Sequence, residues 1–241
     1  LRAAAQPHRL RILGPDRLGM AVPVHHLNAT LSPTPLLPGS ISVVTHSSTM
    51  MQVILQWAQV RHIGFSHLVS LGDRVDVDYS DLLDYLARDP QTQAILLYLE
   101  RIRDPRRFLS AARVAARSKP LIALKPRVDG GRSVEEAIYE AAARRVGILR
   151  VHTIEHLFNA VKALATRKPV RSNRLLILGD SRGLGLLAKD RLLREGGQLA
   201  AIGPTTRATL ARIAPPGSLL DNPVDLGNQA GFEDYDRALE R

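Results

Sequence analysis

The sequence predicts an α/β protein: a parallel sheet with helices on both faces. Three observations carry this. Short β-branched or leucine-rich runs recur at residues 41–45, 66–71, 94–99, 121–124 and 148–151. Stretches with apolar residues at helical spacing separate them. This alternation of short, mostly apolar strands with amphipathic helices is the sign of a parallel sheet covered on both faces.

Taken in order, residues 1–5 read as the tail of a helix and residues 9–13 as a short strand closed by Gly14-Pro15. Residues 31–39 hold Pro33, Pro35 and Pro38, the composition of a linker, so the first segment is assigned to residues 1–38. Residues 41–45 (ISVVT) form a buried strand. Residues 49–61 form a helix expected to turn Met50, Val53, Ile54 and Trp57 inward. A strand at 66–71 follows, then a helix at 79–88 with Leu82, Leu83 and Leu86 inward and Asp78 as its cap. After the strand at 94–99, the helix at 104–118 has Asp104 as N-cap and Pro105 at its favoured first position. A strand at 121–124, a helix at 134–146, a strand at 148–151 and a helix at 154–165 complete a domain of residues 39–168. Five strands at this spacing predict a flavodoxin-like arrangement. After Pro169 the rhythm restarts: strand 174–178, helix 185–195, strand 198–202, helix 206–213, then Asn222-Pro223-Val224-Asp225-Leu226. Residues 169–241 therefore read as the start of a second, similar α/β domain. The opening at Leu1 and the stop at Arg241 inside a helical stretch lead us to expect a fragment of a longer polypeptide.

Composition narrows the function classes. Hydrophobic residues make up 45% and charged residues 23%, an ordinary globular balance. No apolar stretch is long enough to span a bilayer, residues 1–11 lack a signal-peptide layout, and a cytoplasmic protein is expected. The absence of cysteine excludes disulfides and thiolate metal sites. The net charge of +10 comes from 28 arginines and 5 lysines, scattered over helix faces as at Arg106, Arg107, Arg113 and Arg117. With aromatics at 4% there is no stacking platform for bases, so no nucleic-acid partner is expected.

Ligands in open α/β sheets gather at the carboxyl ends of the strands. Four such ends stand out. At His46-Ser47-Ser48-Thr49 a helix start offers unpaired N–H groups to an anion, or Ser47 or Ser48 only caps the helix. Gly72 and Asp73, with Asp76 and Asp78, suit turn and capping roles better than a calcium loop. Glu100 follows a fully apolar strand and is placed to orient a charged or imidazole partner, or to be solvated. Lys125, with Arg127 close by, follows the fourth strand and suits an anion or the cover of a sheet edge. His152 and His156 lack a third ligand beyond Glu155, so no metal site is expected. His25-His26 is uninformative. The glycine-rich stretch 179–185 matches neither dinucleotide nor P-loop spacing.

Several of these segments, in this order, resemble the succinyl-CoA synthetase-like, NDP-forming acyl-CoA synthetases. Residues 11–19 (RILGPDRLG) are similar to the coenzyme-A-contacting Gly-Pro-Asn-Cys-x-Gly turn ending that family's CoA-binding domain. Residues 44–50 (VTHSSTM) resemble its Ser-Gln-Ser-Gly helix start. Residues 70–86 and 94–100, with Lys125, Asn222, Pro223 and Asp225, follow its pattern. Residues 82–119 point further, to Pat-type protein lysine acetyltransferases, in which a synthetase-like region is joined to a GNAT domain and senses acetyl-CoA. The resemblance implies CoA or acetyl-CoA near Gly14, Pro15, Asp16, Gly19, Ser47, Ser48, Thr49 and Lys125. It implies ATP or ADP with magnesium only in a full-length parent carrying ATP-grasp or GNAT domains. Oligomerisation is left open.

One departure matters more than these matches. Working ligases carry Ser-His-Thr-Gly-Ala after the fourth strand, and its histidine is transiently phosphorylated. Here Lys125 leads through Pro126-Arg127-Val128-Asp129-Gly130-Gly131 to the next helix, with no histidine. No catalytic residue is therefore assigned, and Glu100 is expected to stand without its histidine partner. Asp16 and Arg17 replace Asn-Cys in the CoA turn, and Ser48 replaces a glycine that would let phosphate approach the backbone. The leading expectation is a ligase-inactive, acetyl-CoA-sensing region of a lysine acetyltransferase; part of an active ADP-forming ligase is the alternative. A basic nucleic-acid module and a purely structural domain are weaker readings.

Overall fold

The chain opens with a short helix, α1 (Arg2–Ala5), and a 3-10 turn (Gln6–His8). The strand expected at 9–13 is instead an irregular segment. Arg9 enters it in the left-handed region, and Ile12, Gly14 and Pro15 accept backbone hydrogen bonds from Val77, Val75 and Asp73. That partner is itself a loop, so no ladder forms. A hairpin outside the expected elements comes next: β1 (Gly19–Val22) antiparallel to β2 (Leu27–Thr30). Gly19 has φ of 118°, and a Cβ there would meet the Ala29 carbonyl oxygen at 2.1 Å, so only glycine fits. The computed structural model describes residues 1–126, 134–165 and 172–239.

The apolar runs become strands and the spaced stretches become helices. These are β3 (Pro38–Thr45), α2 (Ser48–Val60), β4 (Phe65–Ser70), α3 (Tyr79–Arg88), β5 (Ala94–Tyr98), α4 (Pro105–Ser118), β6 (Leu121–Leu124), α5 (Val134–Val146), β7 (Ile148–Val151) and α6 (Ile154–Ala165). The sheet runs β2-β1-β4-β3-β5-β6-β7. From β3 onward every pairing is parallel, and β1 joins the edge of β4 antiparallel. The five parallel strands thus have the order 2-1-3-4-5, the flavodoxin-like layout expected from the sequence.

Period-two packing divides the core between the two faces. Ile41, Val43, Leu96, Ile122 and Leu124 pack with Met51, Ile54 and Leu55 of α2 and Leu157 and Val161 of α6. Val44, Ile95, Leu97, Leu121 and Ala123 pack with Leu83, Phe108, Ala112 and Val146 of α3, α4 and α5. Helix α2 buries Met51, Ile54, Leu55 and Ala58, not the expected set starting at Met50; Val53 is 36% exposed. The expected stripe was one residue out of phase. Trp57 instead stacks on Phe158 of α6 at 4.0 Å between ring centroids.

Polar groups near the amino ends of the strands form a closed network. The Ser42, Ser66 and Thr92 hydroxyls, all buried, lie 2.7–2.9 Å from one another. Thr92 donates to Asp89 at 2.5 Å, and Asp89 lies 3.4 Å from His67 Nδ1. Burial holds His67 below its ordinary value of 6.5, against the opposing pull of the Asp89 carboxylate. Burial pushes Asp89 upward, but hydrogen bonds from Thr92 and Gln91 outweigh it and leave Asp89 lowered.

The second unit, Pro169–Arg241, is cut off from the first, Leu1–Lys168, by its own contacts. It contains β8 (Arg174–Leu175), β9 (Leu178–Gly179), α7 (Arg182–Arg194), β10 (Gln198–Leu199), α8 (Pro204–Leu210), β11 (Val224–Asp225) and α9 (Phe232–Leu239). The single strand expected at 174–178 is split. Between its halves the Asn222 side chain accepts from Ile177 N–H and donates to the Leu175 and Ala200 carbonyls, doing the work of a ladder. β8 then pairs with β10, and β9 with β11, both parallel. The glycine-rich stretch 179–185 leads into α7, which starts three residues before the expected position.

Two outcomes follow from this packing. Leu83, fully buried, costs about 2–5 kcal/mol when replaced by alanine, as read by urea unfolding. A group whose pKa is depressed on folding leaves the unfolded state binding more protons at low pH. Stability is therefore full above 6.5 and falls as the pH drops below it, and thermal melts at pH 7.5 and 5.5 will show the loss. His67→Gln flattens that slope.

Candidate functional site

The parallel strands deliver their carboxyl ends to one edge. β3 leads to His46, β5 leads to Glu100, and β6 leads to Lys125. β3 and β5 are neighbours whose crossovers leave on opposite faces, through α2 and α4, so a crevice opens between their ends.

His46 and Glu100 meet in that crevice. The His46 Nε2 lies 3.0 Å from Glu100 Oε2, and the Tyr98 hydroxyl donates to Glu100 Oε1 at 2.9 Å. Glu100, expected to stand without a histidine, therefore has one, supplied by β3 rather than by the loop after β6. The hydrogen bond from His46 leads the causes that hold Glu100 below the usual carboxylate range, while Tyr98, buried and facing that carboxylate, is pushed up to about 12. The imidazole stacks on Tyr98 at 5.8 Å, and its Nδ1 lies 3.1 Å from the Tyr79 hydroxyl.

Beside it, Ser47 is the N-cap of α2, accepting from Met50 N–H at 3.2 Å; Ser48 is the first helical residue and Thr49 follows, exposed. Ser47 therefore caps α2. The Gly14-Pro15-Asp16 turn reaches the same edge by docking on the end of β4. Asp73 N–H donates to the Pro15 carbonyl at 2.9 Å, and Leu18 N–H to Ser70 Oγ at 3.1 Å. Gly72 makes this possible: with φ of 57°, a Cβ there would meet the Pro15 carbonyl oxygen at 1.9 Å. Gly14 is buried, Pro15 and Asp16 are exposed, and Gly19 lies inside β1. Asp78 caps α3 in a capping box with Asp81, and Asp76 accepts from Ile12 N–H and pairs with Arg11.

Residues 38–164 match the succinyl-CoA ligase like flavodoxin domain. The chain belongs to that family. Over 250 residues it is 32% identical to the alpha subunit of acetate–CoA ligase [ADP-forming] I of Pyrococcus furiosus, covering 98% of this chain and 53% of the relative. It is 33% identical to the acetate–CoA ligase [ADP-forming] of Methanocaldococcus jannaschii, covering 94% of this chain and 34% of the relative. A solved structure of the dinucleotide-forming acetyl-coenzyme A synthetase 1 of Ca. Korarchaeum cryptofilum, with phosphate and ADP, superposes with a TM-score of 0.88 at 28% identity, over 98% of this chain and 54% of that one. The chain thus spans between a third and about half the length of these relatives. They are CoA ligases and synthetases; the acetyltransferase branch expected from residues 82–119 has no counterpart among them.

In this member of the family, Lys125 is committed to its neighbours. Its Nζ lies 3.4 Å from Glu136 and 5.1 Å above the Tyr139 ring. Arg150, on β7, joins Glu136 in a close ion pair and Glu140 at 2.7 Å. Burial pushes Glu136 upward, and the Arg150 guanidinium more than offsets it, holding the carboxyl low. Lys125 and Glu100 line one cavity of about 600 Å³, with Ile102, Leu109, Ile138 and Tyr139 as its apolar wall. Residues 127–133, including Arg127 and the span where the expected histidine loop is missing from the sequence, lie outside the described residues. Among the described residues no group of three or more histidines and carboxylates is placed to hold a metal, and His156 N–H bonds to the Thr153 hydroxyl at the start of α6.

Removing one partner of a buried ion pair strands the other charge. Arg150 and Glu136 side chains are 3% and 8% exposed. In Glu136→Ala, however, the buried Arg150 keeps Glu140 and the Lys125 carbonyl, so the chain is destabilised by about 1–3 kcal/mol, measured by denaturant unfolding.

Proposed function

We propose that this chain is the alpha-subunit-like portion of an ADP-forming acyl-CoA ligase, and that it holds the CoA thioester at the carboxyl edge of its sheet. The observation that carries this is the gathering of the Gly14-Pro15-Asp16 turn, the start of α2 and Glu100 on that edge, with the turn seated on Gly72. The exposed Pro15 and Asp16 and the helix start at Ser47, Ser48 and Thr49 are the groups that would hold CoA there. The relatives are ligases by name, which favours this reading over an acetyltransferase region.

One observation favours a second reading, a domain that binds acetyl-CoA without turning it over. No histidine lies between His67 and His152, so the stretch after β6 has no imidazole nitrogen to carry a phosphoryl group. The full-length parent separates the two. ADP release from ATP that requires both CoA and acetate supports the ligase; calorimetric heat with acetyl-CoA but no ADP release supports the sensor. No heat with CoA or acetyl-CoA at millimolar concentration refutes both.

Two outcomes are expected. The isolated 241-residue polypeptide forms no thioester from ATP, CoA and acetate in a coupled assay. Gly72→Ala displaces the Gly14-Pro15-Asp16 turn and weakens CoA binding at least about tenfold, or about 1.4 kcal/mol, in the same calorimetric titration.

A further inference from the structure

The hydrogen bonds around His46 account for every proton on its ring. The Tyr79 hydroxyl, buried at the start of α3, has one hydrogen and donates it to the Tyr98 carbonyl at 2.5 Å. Its oxygen accepts the His46 backbone N–H at 3.1 Å. With that hydrogen spent, the ring Nδ1, 3.1 Å from the same oxygen, is joined to it only by donating. On the other side Nε2 faces the Glu100 carboxylate, which also only accepts when ionised. Burial keeps the Tyr79 phenol protonated, and the Tyr98 hydroxyl donates to the other Glu100 oxygen, which leaves that carboxylate an acceptor on both sides. The charged and titratable groups that face the ring are thus Glu100, Tyr79 and Tyr98.

We infer that His46 is a doubly protonated clamp that binds the ends of β3 and β5 to the start of α3. It is a positioning residue for Glu100, and it has no lone pair with which to accept a phosphoryl group or a proton. The His46 side chain is only 19% exposed, whereas half of Glu100 faces outward. What the crevice offers a ligand is therefore the outer part of a carboxylate already neutralised from behind. A nucleophile is not on offer, although a histidine stands at the strand end where one would be sought. This inference concerns the same edge as the proposed CoA site but rests on the ring contacts alone, so its test is independent of any ligase assay.

The decisive measurement is a long-range proton–nitrogen correlation spectrum of the whole chain, labelled with 15N-histidine, at pH 7. We expect both His46 ring nitrogens at protonated shifts; one nitrogen at an unprotonated shift overturns the inference. The His46 signals are assigned by their loss in His46→Gln, or, if that variant does not fold, by their selective movement in Glu100→Gln. In Glu100→Gln the charged acceptor is gone, and we expect one ring nitrogen to move to an unprotonated shift. An unchanged His46 pattern counts against the clamp. A separate incubation of the wild-type chain with acetyl phosphate is expected to leave no acid-labile, alkali-stable phosphate on His46. Phosphate at that residue, located by mass spectrometry, overturns the inference.

Discussion

Strand β3 sits between two neighbours that the chain reaches by different routes. The connection leaving β3 runs through α2 on one face, and the connection leaving its neighbour β5 runs through α4 on the other. Two crossovers that part in this way cannot cover the strand ends between them. The crevice follows from topology, before any side chain is chosen. The side chains then decide what the crevice contains, and here an aromatic and ionic cluster of His46, Glu100, Tyr79 and Tyr98 fills its floor. The turn at Gly14 and the start of α2 form its margins.

The two ends of the same sheet are treated differently. At the amino ends, buried hydroxyls and the nearly buried His67–Asp89 pair satisfy one another, so they tie strands together and offer little to solvent. At the carboxyl ends, Glu100, Asp16 and Thr49 remain open to solvent. Buried polar groups with complete partners specify one packing. Partly exposed ones can exchange protein contacts for ligand contacts. The family's fold therefore has a closed end and an open end, and only the open end is a candidate for chemistry.

Much of this was legible in the residues. Asp78 and Asp104 announced the starts of α3 and α4 because a short acidic side chain before an amphipathic run is a cap. The apolar runs at β5 and β6 were read correctly because strands buried on both faces leave no alternation to misjudge. The hairpin of β1 and β2 was hidden: Leu27 and Asn28 are exposed, so that strand has no apolar signature. The phase of α2 was missed because Met50, Met51, Val53, Ile54 and Leu55 offer two overlapping stripes, and only contact with the sheet chooses between them. The His46–Glu100 pair was beyond local reading. It depends on β3 and β5 being adjacent, which is a fact about strand order and not about either segment.

Asn222 shows how much a single amide can carry. It uses its oxygen for one backbone N–H and its nitrogen for two carbonyls, and so bridges the two short pairings of the second unit. Conversion to aspartate would set a carboxylate against two carbonyl oxygens with no hydrogen between them. The usual route to that chemical ageing is attack by the next residue's backbone nitrogen on the side-chain amide. The next residue is Pro223, which has no N–H to lose. The neighbour in sequence thus shields from slow deamidation the very group on which the fold of this unit turns.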